Sequence, residues 1–282
     1  MDSLKKIENL SERLLKFEYE EKIVCFLDIL GFSEKNKGSE RPCDMQIVKL
    51  LKSIENIIKD QVACLQIHQF ADSIILSTDA KDINTLFNVL AKSISHVIYE
   101  ETVLLTSSEN NQLTWEQSQK NNESLNLIRG GITFGKVCMI DEDVITDEKG
   151  SAQGILPAIT IGPAISKAHD LESKIAKYPR ILIDNVAYRQ IEQNDKSTLK
   201  YVPIDFDNER YFDFISFLKD SESTYWELTM QKLNKVAKYI THNSSQLDRN
   251  SQYDIKVKQG WMYQYICRTL GKQPFPNNNQ KE

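Results

Sequence analysis

Apolar residues in the first twenty positions recur at helical spacing. Leu4, Ile7, Leu10, Leu14 and Leu15 stand with charges between them and predict an amphipathic helix over 3–20. The period then changes. Ile23-Val24-Cys25-Phe26-Leu27 is an unbroken apolar run that stops at Asp28, with Gly31 just beyond, and its length suits a strand buried on both faces. Positions 44–60 return to helical spacing through Ile47, Leu50, Leu51, Ile54, Ile57 and Ile58, with Pro42 near the start. Residues 64–77 read as two strands broken at Ala71-Asp72, a hairpin with an aspartate at its turn. A further helix is predicted over 81–99, on Ile83, Leu86, Phe87, Leu90, Ile94 and Ile98.

The second half is more broken. Residues 107–124 are rich in Asn, Gln, Ser and Glu and read as a surface loop. A strand over 125–133 is expected to turn at Gly135-Lys136 into 137–140. The acidic stretch 141–154 reads as flexible, and 155–161 as a strand. Gly162-Pro163 opens a helix to about residue 173, because proline is favoured in a first helical turn. A strand over 180–184, a helix over 186–193 and a last pair of strands over 199–204 and 211–216 complete this part. Residues 221–271 look helical twice, first on Trp226, Leu228, Leu233, Val236 and Ile240, then on Ile255, Trp261, Tyr265, Ile266 and Leu270. The polar tail from Pro274 to Glu282 is expected to fray. Strands and helices alternate with hairpins between them, which gives an α+β class with a mostly antiparallel sheet. The chain divides into an N-terminal helix (1–20), a main domain (21–217) and a C-terminal helical extension (218–282).

Composition narrows the function. At ~150 residues per domain, 282 residues make one large domain, or one with an appendage. A net charge of −5 argues against nucleic acid or an anionic membrane surface as partner, since both call for a surplus of Lys and Arg. The five cysteines, Cys25, Cys43, Cys64, Cys138 and Cys267, are odd in number and form no CxxC pair. This speaks against a disulfide framework or a Cys-rich zinc site and for reduced thiols. No apolar run approaches the ~20 residues of a membrane span. Met1-Asp2-Ser3-Leu4-Lys5-Lys6 lacks the apolar stretch of a signal peptide, so a cytoplasmic protein is expected.

Asp28, at the end of an apolar strand, can hold a hard cation, with a neighbouring backbone carbonyl as a further ligand. The N–H groups of the turn that follows can hold phosphate oxygens, with Gly31 permitting close approach. Taken alone, Asp28 reads more simply as a cap, and Asp72 as a turn aspartate. Together, two carboxylates at the ends of adjacent strands are the minimum for a two-metal site that handles a nucleoside triphosphate. Other chemistry finds little support. His96, His169 and His242 are too scattered for a zinc site. Gly130-Gly131 lacks the Lys-Ser/Thr of a P-loop. Neither Ser33 nor Ser73 sits in a nucleophile elbow.

Five segments, in order over about 21–217, carry a resemblance to class III nucleotidyl cyclases. Phe26-Leu27-Asp28-Ile29-Leu30-Gly31-Phe32-Ser33 resembles the family's first metal-binding segment, and Phe70-Ala71-Asp72-Ser73 the hairpin with the second metal aspartate. Arg129-Gly130-Gly131-Ile132-Thr133-Phe134-Gly135-Lys136-Val137 is similar to its glycine-rich strand. Gly162-Pro163-Ala164-Ile165-Ser166-Lys167-Ala168-His169-Asp170-Leu171-Glu172-Ser173 is similar to its helix near the catalytic centre, and Arg180-Ile181-Leu182-Ile183-Asp184 to the strand after it. The resemblance implies a ferredoxin-like α+β catalytic domain over 21–217 and a homodimer with active sites at the interface. It also implies two Mg²⁺ or Mn²⁺ ions on Asp28, Asp72 and the carbonyl of Ile29, with phosphates held at Gly31, Phe32 and Ser33. The product would be a 3′,5′-cyclic nucleotide plus pyrophosphate.

The departures point to a subgroup. Where adenylyl and guanylyl cyclases carry an Asn and an Arg, this chain has Ser166 and Asp170, so Lys167 is the candidate cation and Ser166 the ribose contact. The purine-reading positions hold His68 and Ile159. The helix segment resembles the pyrimidine cyclases of bacterial anti-phage signalling, which make cyclic UMP or cyclic CMP for a separate effector. His68 is then the base contact, and its imidazole, which can donate or accept, does not choose uracil over cytosine. The alternatives are a purine cyclase, or a catalytically silent module of the same fold.

Overall fold

The central strand, β1 (Glu20–Ile29), explains its own apolar run. Ile23, Cys25, Leu27 and Ile29 face the main core of the molecule. Val24 and Phe26 face the other way and meet a second, smaller cluster. A strand covered on both faces has no polar side, so its sequence is continuous rather than alternating. The computed structural model describes residues 18–30, 52, 56–57, 64–70, 73–104, 120–140, 143–146, 152–156, 159–221, 224–244 and 253–271.

β1 pairs antiparallel with β3 (Ser73–Thr78) on one side and with β6 (Ile128–Ile140) on the other. β2 (Leu65–Phe70) closes the β3 edge as the expected hairpin. The order β6-β1-β3-β2, antiparallel throughout, is that of a ferredoxin-like sheet. β10 (Ile181–Ile183) extends it beyond β6 as its one parallel pair among the described strands. β9 (Ile159–Ile161) pairs with the far end of β6. A 3-10 turn (Ala80–Asp82) leads into α1 (Ile83–Val97), which lays Leu86, Phe87, Leu90 and Ile94 on the main-core face. The opposite face receives α2 (Pro163–Asp170) through Ala164 and Ala168. One π-helical turn (Leu171–Ile175) follows α2, then β10 and α3 (Asn185–Asn194), which Asp184 caps by accepting from the Ala187 N–H at 2.7 Å.

Several expectations change. The helix over 3–20 lies outside the described residues up to position 17, and Glu20, its expected last residue, opens β1. The helix over 44–60 also lies almost wholly outside them, although Lys52, Asn56 and Ile57 are helical. The polar stretch read as a loop ends in β5 (Lys120–Leu125), paired with β4 (Tyr99–Leu104). Backbone pairing makes this strand without any apolar alternation. No turn forms at Gly135-Lys136; β6 runs through, with Gly135 opposite Lys22. Glycine is not required there: a Cβ at 135 would meet Ala164 Cβ of α2 at 3.6 Å, an ordinary contact. The acidic stretch holds a hairpin, β7 (Asp143–Thr146) with β8 (Ala152–Leu156), so the single strand expected over 155–161 is divided between β8 and β9.

The last pair of strands is replaced. A 3-10 helix (Lys196–Tyr201) and two isolated bridges, Ile204 with Arg210 and Leu182 with Tyr211, lead into α4 (Phe214–Asp220). Asp213 starts α4 by accepting from the Ser216 N–H at 3.0 Å. The two C-terminal helices are α5 (Thr224–Ser244) and α6 (Tyr253–Thr269). Leu233, Val236 and Ile240 of α5 and Trp261, Met262, Tyr265 and Ile266 of α6 join the same core as β1 and α1. At the root of α6, the buried Arg180 guanidinium is held by Asp205 (2.5 Å) and by Asp207 (2.9 Å to its Oδ1). The Trp261 indole N–H donates to the same Asp205 at 2.8 Å. Among the described residues, no helix is long and apolar enough to cross a membrane.

Candidate active site

The candidate site lies on the α2 face of the sheet, at the end of β1. Phe26 and Asp28 share that face, two residues apart. Arg129 of β6 stands directly opposite Asp28 in the ladder. Its Nε and Nη2 lie 3.3 and 3.2 Å from one carboxylate oxygen, Oδ2 of Asp28. The same Nε forms an ion pair with Glu172. The Asp28 and Arg129 side chains keep 17% and 23% of their exposure and Glu172 only 3%, so the first two are partly exposed and the cluster is anchored in the interior at Glu172.

Glu172 reaches this place because of Gly131. A Cβ at 131 would stand 2.4 Å from the Ala168 carbonyl oxygen, 2.8 Å from Leu171 Cβ and 3.1 Å from the Glu172 nitrogen. Only glycine lets the end of α2 and the π-turn lie directly on the strand. A π-turn is rare and inserts a residue into the helical repeat, and this one carries Glu172. Gly162 serves the other end of α2. Its φ is +140°, and a Cβ there would meet the Lys136 carbonyl oxygen at 2.5 Å, so the entry to the helix also requires glycine.

Of the residues singled out from the sequence, Asp28 and Ile29 lie together at the end of β1. Phe70 and Ser73, the strand ends that flank Asp72, belong to the hairpin whose β3 pairs with β1, with Leu27 opposite Ile74. Asp72, Gly31, Phe32 and Ser33 lie outside the described residues. His68 faces the same side as Asp28, in the row His68–Ile75–Phe26 across three strands. It is buried, and its Nδ1 hydrogen-bonds the Thr160 hydroxyl of β9, with donor and acceptor set by the imidazole tautomer. Ser166 and Lys167 are exposed on α2, whose buried positions are Ala164 and Ala168. Asp170 is also exposed and pairs with Lys174 at 2.8 Å.

Arg129 and Glu172 are what the sequence reading missed as site residues. Both stood in quoted segments, but nothing in their spacing says that they meet at Asp28. The donor set suits a hard cation in one respect: Asp28 already holds a positive group, the guanidinium. Among the described residues, no three His, Cys, Asp or Glu side chains cluster to hold a metal. A cavity of about 20 Å³ beside Arg180, Trp261 and Tyr265 has room for a water molecule and no substrate. Burial pushes the Cys25 thiol up, which leaves it a packing residue of the core rather than a nucleophile.

No protein-family model and no curated protein matches the chain. Among solved structures it is similar to the non-canonical dimeric guanylyl cyclase domain of the RhoGC fusion protein from the aquatic fungus Blastocladiella emersonii, at 19% identity over 69% of this chain and 93% of that one, TM-score 0.42. It is similar to the adenylyl cyclase CyaB from P. aeruginosa, at 19% identity over 69% and 93%, TM-score 0.38. A third similar structure is the guanylate cyclase domain of RhGC from Catenaria anguillulae in complex with GTP, at 18% identity over 68% and 94%, TM-score 0.40.

Proposed function

We propose that the protein is a nucleotidyl cyclase that converts UTP or CTP into the 3′,5′-cyclic monophosphate and pyrophosphate. It works in the cytoplasm as a homodimer, and a separate effector reads the product in anti-phage defence. The observation that carries this reading is the carboxylate of Asp28. It stands at the end of the central strand, partly exposed and engaged with a cation, next to the hairpin that bears the second aspartate motif.

Asp28, the carbonyl of Ile29 and Asp72 would hold two Mg²⁺ or Mn²⁺ ions. When bound, such ions acidify the ribose 3′-hydroxyl and neutralise the leaving pyrophosphate. The backbone of Gly31, Phe32 and Ser33 would bind phosphate oxygens, and Arg129 would add a positive charge at the Asp28 end of the site. His68 would meet the base, with its Nδ1 held by the Thr160 hydroxyl. Ser166 and Lys167 project from the outer side of α2, where they suit a site completed by a second copy better than the one beside their own Asp28.

A second reading is favoured by Asp170. It stands where the family's arginine is expected and is neutralised by Lys174, which fits a silent module that binds nucleotide without turnover. Mass spectrometry of products from ATP, GTP, CTP and UTP with Mn²⁺, beside Asp28→Ala, decides. Cyclic UMP or CMP that disappears in the variant is expected. Cyclic AMP or GMP in clear excess selects a purine enzyme, and no cyclic product from any of the four overturns the cyclase.

A further inference from the structure

We infer that Glu172 is a positioning residue for the cation site at Asp28, holding Arg129 so that Asp28 can exchange a guanidinium for a divalent ion. The inference rests on the metal-binding reading of Asp28 and deepens it. Both Nε and Nη2 of Arg129 approach Asp28 Oδ2, so a cation arriving at that oxygen competes with the guanidinium for it. Glu172 decides how that competition comes out. Its side chain is 3% exposed and pairs with the same Nε, and taking a cationic partner from a buried carboxylate is costly. When a metal takes Asp28, Arg129 therefore stays on Glu172 rather than swinging into solvent or remaining on the ligand oxygen. Remove the charge of Glu172 and, among the described residues, the guanidinium has one carboxylate left to pair with, Asp28, which it then withholds from the metal.

This makes Glu172 act through Arg129 and not by its own charge, and a double-mutant cycle separates the two. Mn²⁺ binding to the full chain, measured by calorimetry without nucleotide, would be compared for wild type, Asp28→Ala, Glu172→Gln, Arg129→Gln and the Arg129→Gln/Glu172→Gln double variant. Glu172→Gln is expected to weaken binding by about tenfold, the scale of one partly exposed charge contact. Arg129→Gln should bind more tightly than wild type, and the double variant should bind as Arg129→Gln does. If Glu172→Gln weakens binding by the same factor in both backgrounds, Glu172 acts by its own charge or through the fold, and the inference is overturned. Should thermal melts show Glu172→Gln unfolded, Arg129→Gln alone carries the test, and unchanged or weaker binding refutes the competition. Equal binding by wild type and Asp28→Ala defeats the metal reading itself. Dependence on Asp28 with an additive cycle defeats only the role of Glu172.

Discussion

Gly131 and Gly135 lie on the same face of β6 beneath the same helix, yet alanine should act oppositely at the two. At 131 the new Cβ would fall 2.4 Å from the Ala168 carbonyl oxygen and 2.8 Å from Leu171 Cβ. Restoring van der Waals separation requires the end of α2 and the π-turn to retreat by about 1 Å. Overpacking of this kind costs about 1–3 kcal/mol, occasionally more, offset by about 0.5–1 kcal/mol from replacing a strand glycine with alanine. The net loss at 131 is therefore up to about 2.5 kcal/mol, or up to roughly 10 °C in Tm at about 2–4 °C per kcal/mol. At 135 the nearest atom is Ala164 Cβ at 3.6 Å, an ordinary contact. There the glycine term stands alone, and Gly135→Ala should match or exceed wild type by about 0.5 kcal/mol. Urea unfolding followed by circular dichroism measures both variants. If Gly131→Ala is as stable as Gly135→Ala, the π-turn does not sit on the strand as described, and the placement of Glu172 falls with it.

Two further outcomes can be checked on the same preparations. Tyr265→Phe removes a hydroxyl that donates to Asp213 at 2.6 Å and accepts from the Ile215 N–H at 3.2 Å, so it should cost about 1–3 kcal/mol in urea unfolding; a neutral result would mean that water replaces the hydroxyl. Burial alone would push the Asp207 carboxyl up, but the Arg180 guanidinium outweighs it and holds that carboxyl below 3.8. A folded value below the unfolded one means that the Arg180–Asp207 contribution is fully present above 3.8 and is lost as pH falls through the lowered folded value. The stability gap between wild type and Asp207→Asn should thus shrink on acidification from about pH 5, and a gap that stays constant would show that the charge of Asp207 is not what matters.

The parts of the fold that were legible in the sequence are those where burial imposes a pattern. The run at 23–27 announced a doubly covered strand, Gly162-Pro163 announced a helix start, and the i, i+3, i+4, i+7 spacing of Ile83, Leu86, Phe87 and Leu90 announced α1. β5 was not legible, because Lys120-Asn121-Asn122-Glu123-Ser124 is strand by virtue of its partner alone. Gly135 misled for a related reason: a glycine suggests a turn, but here it sits inside a continuous strand opposite Lys22 with ordinary space around it. In the candidate site, the strand-end aspartate could be read locally. The Arg129–Glu172 contact depends on a ladder register and on a π-turn some forty residues later in the chain, and no local pattern records either.

The Arg180 cluster has a consequence for how the chain acquires its structure during synthesis. Arg180 and Asp205 emerge from the ribosome well before Trp261, which supplies the indole N–H to Asp205 and a ring face 5.9 Å from the guanidinium. Until α6 arrives, the sheet end beside Tyr211 and Phe214 lacks Trp261 and Tyr265. The nascent chain therefore passes through an interval in which a nearly finished sheet presents an aromatic surface with no cover. In that interval it is open to chaperones and to its own kind, and a messenger cut short before α6 would leave every copy there.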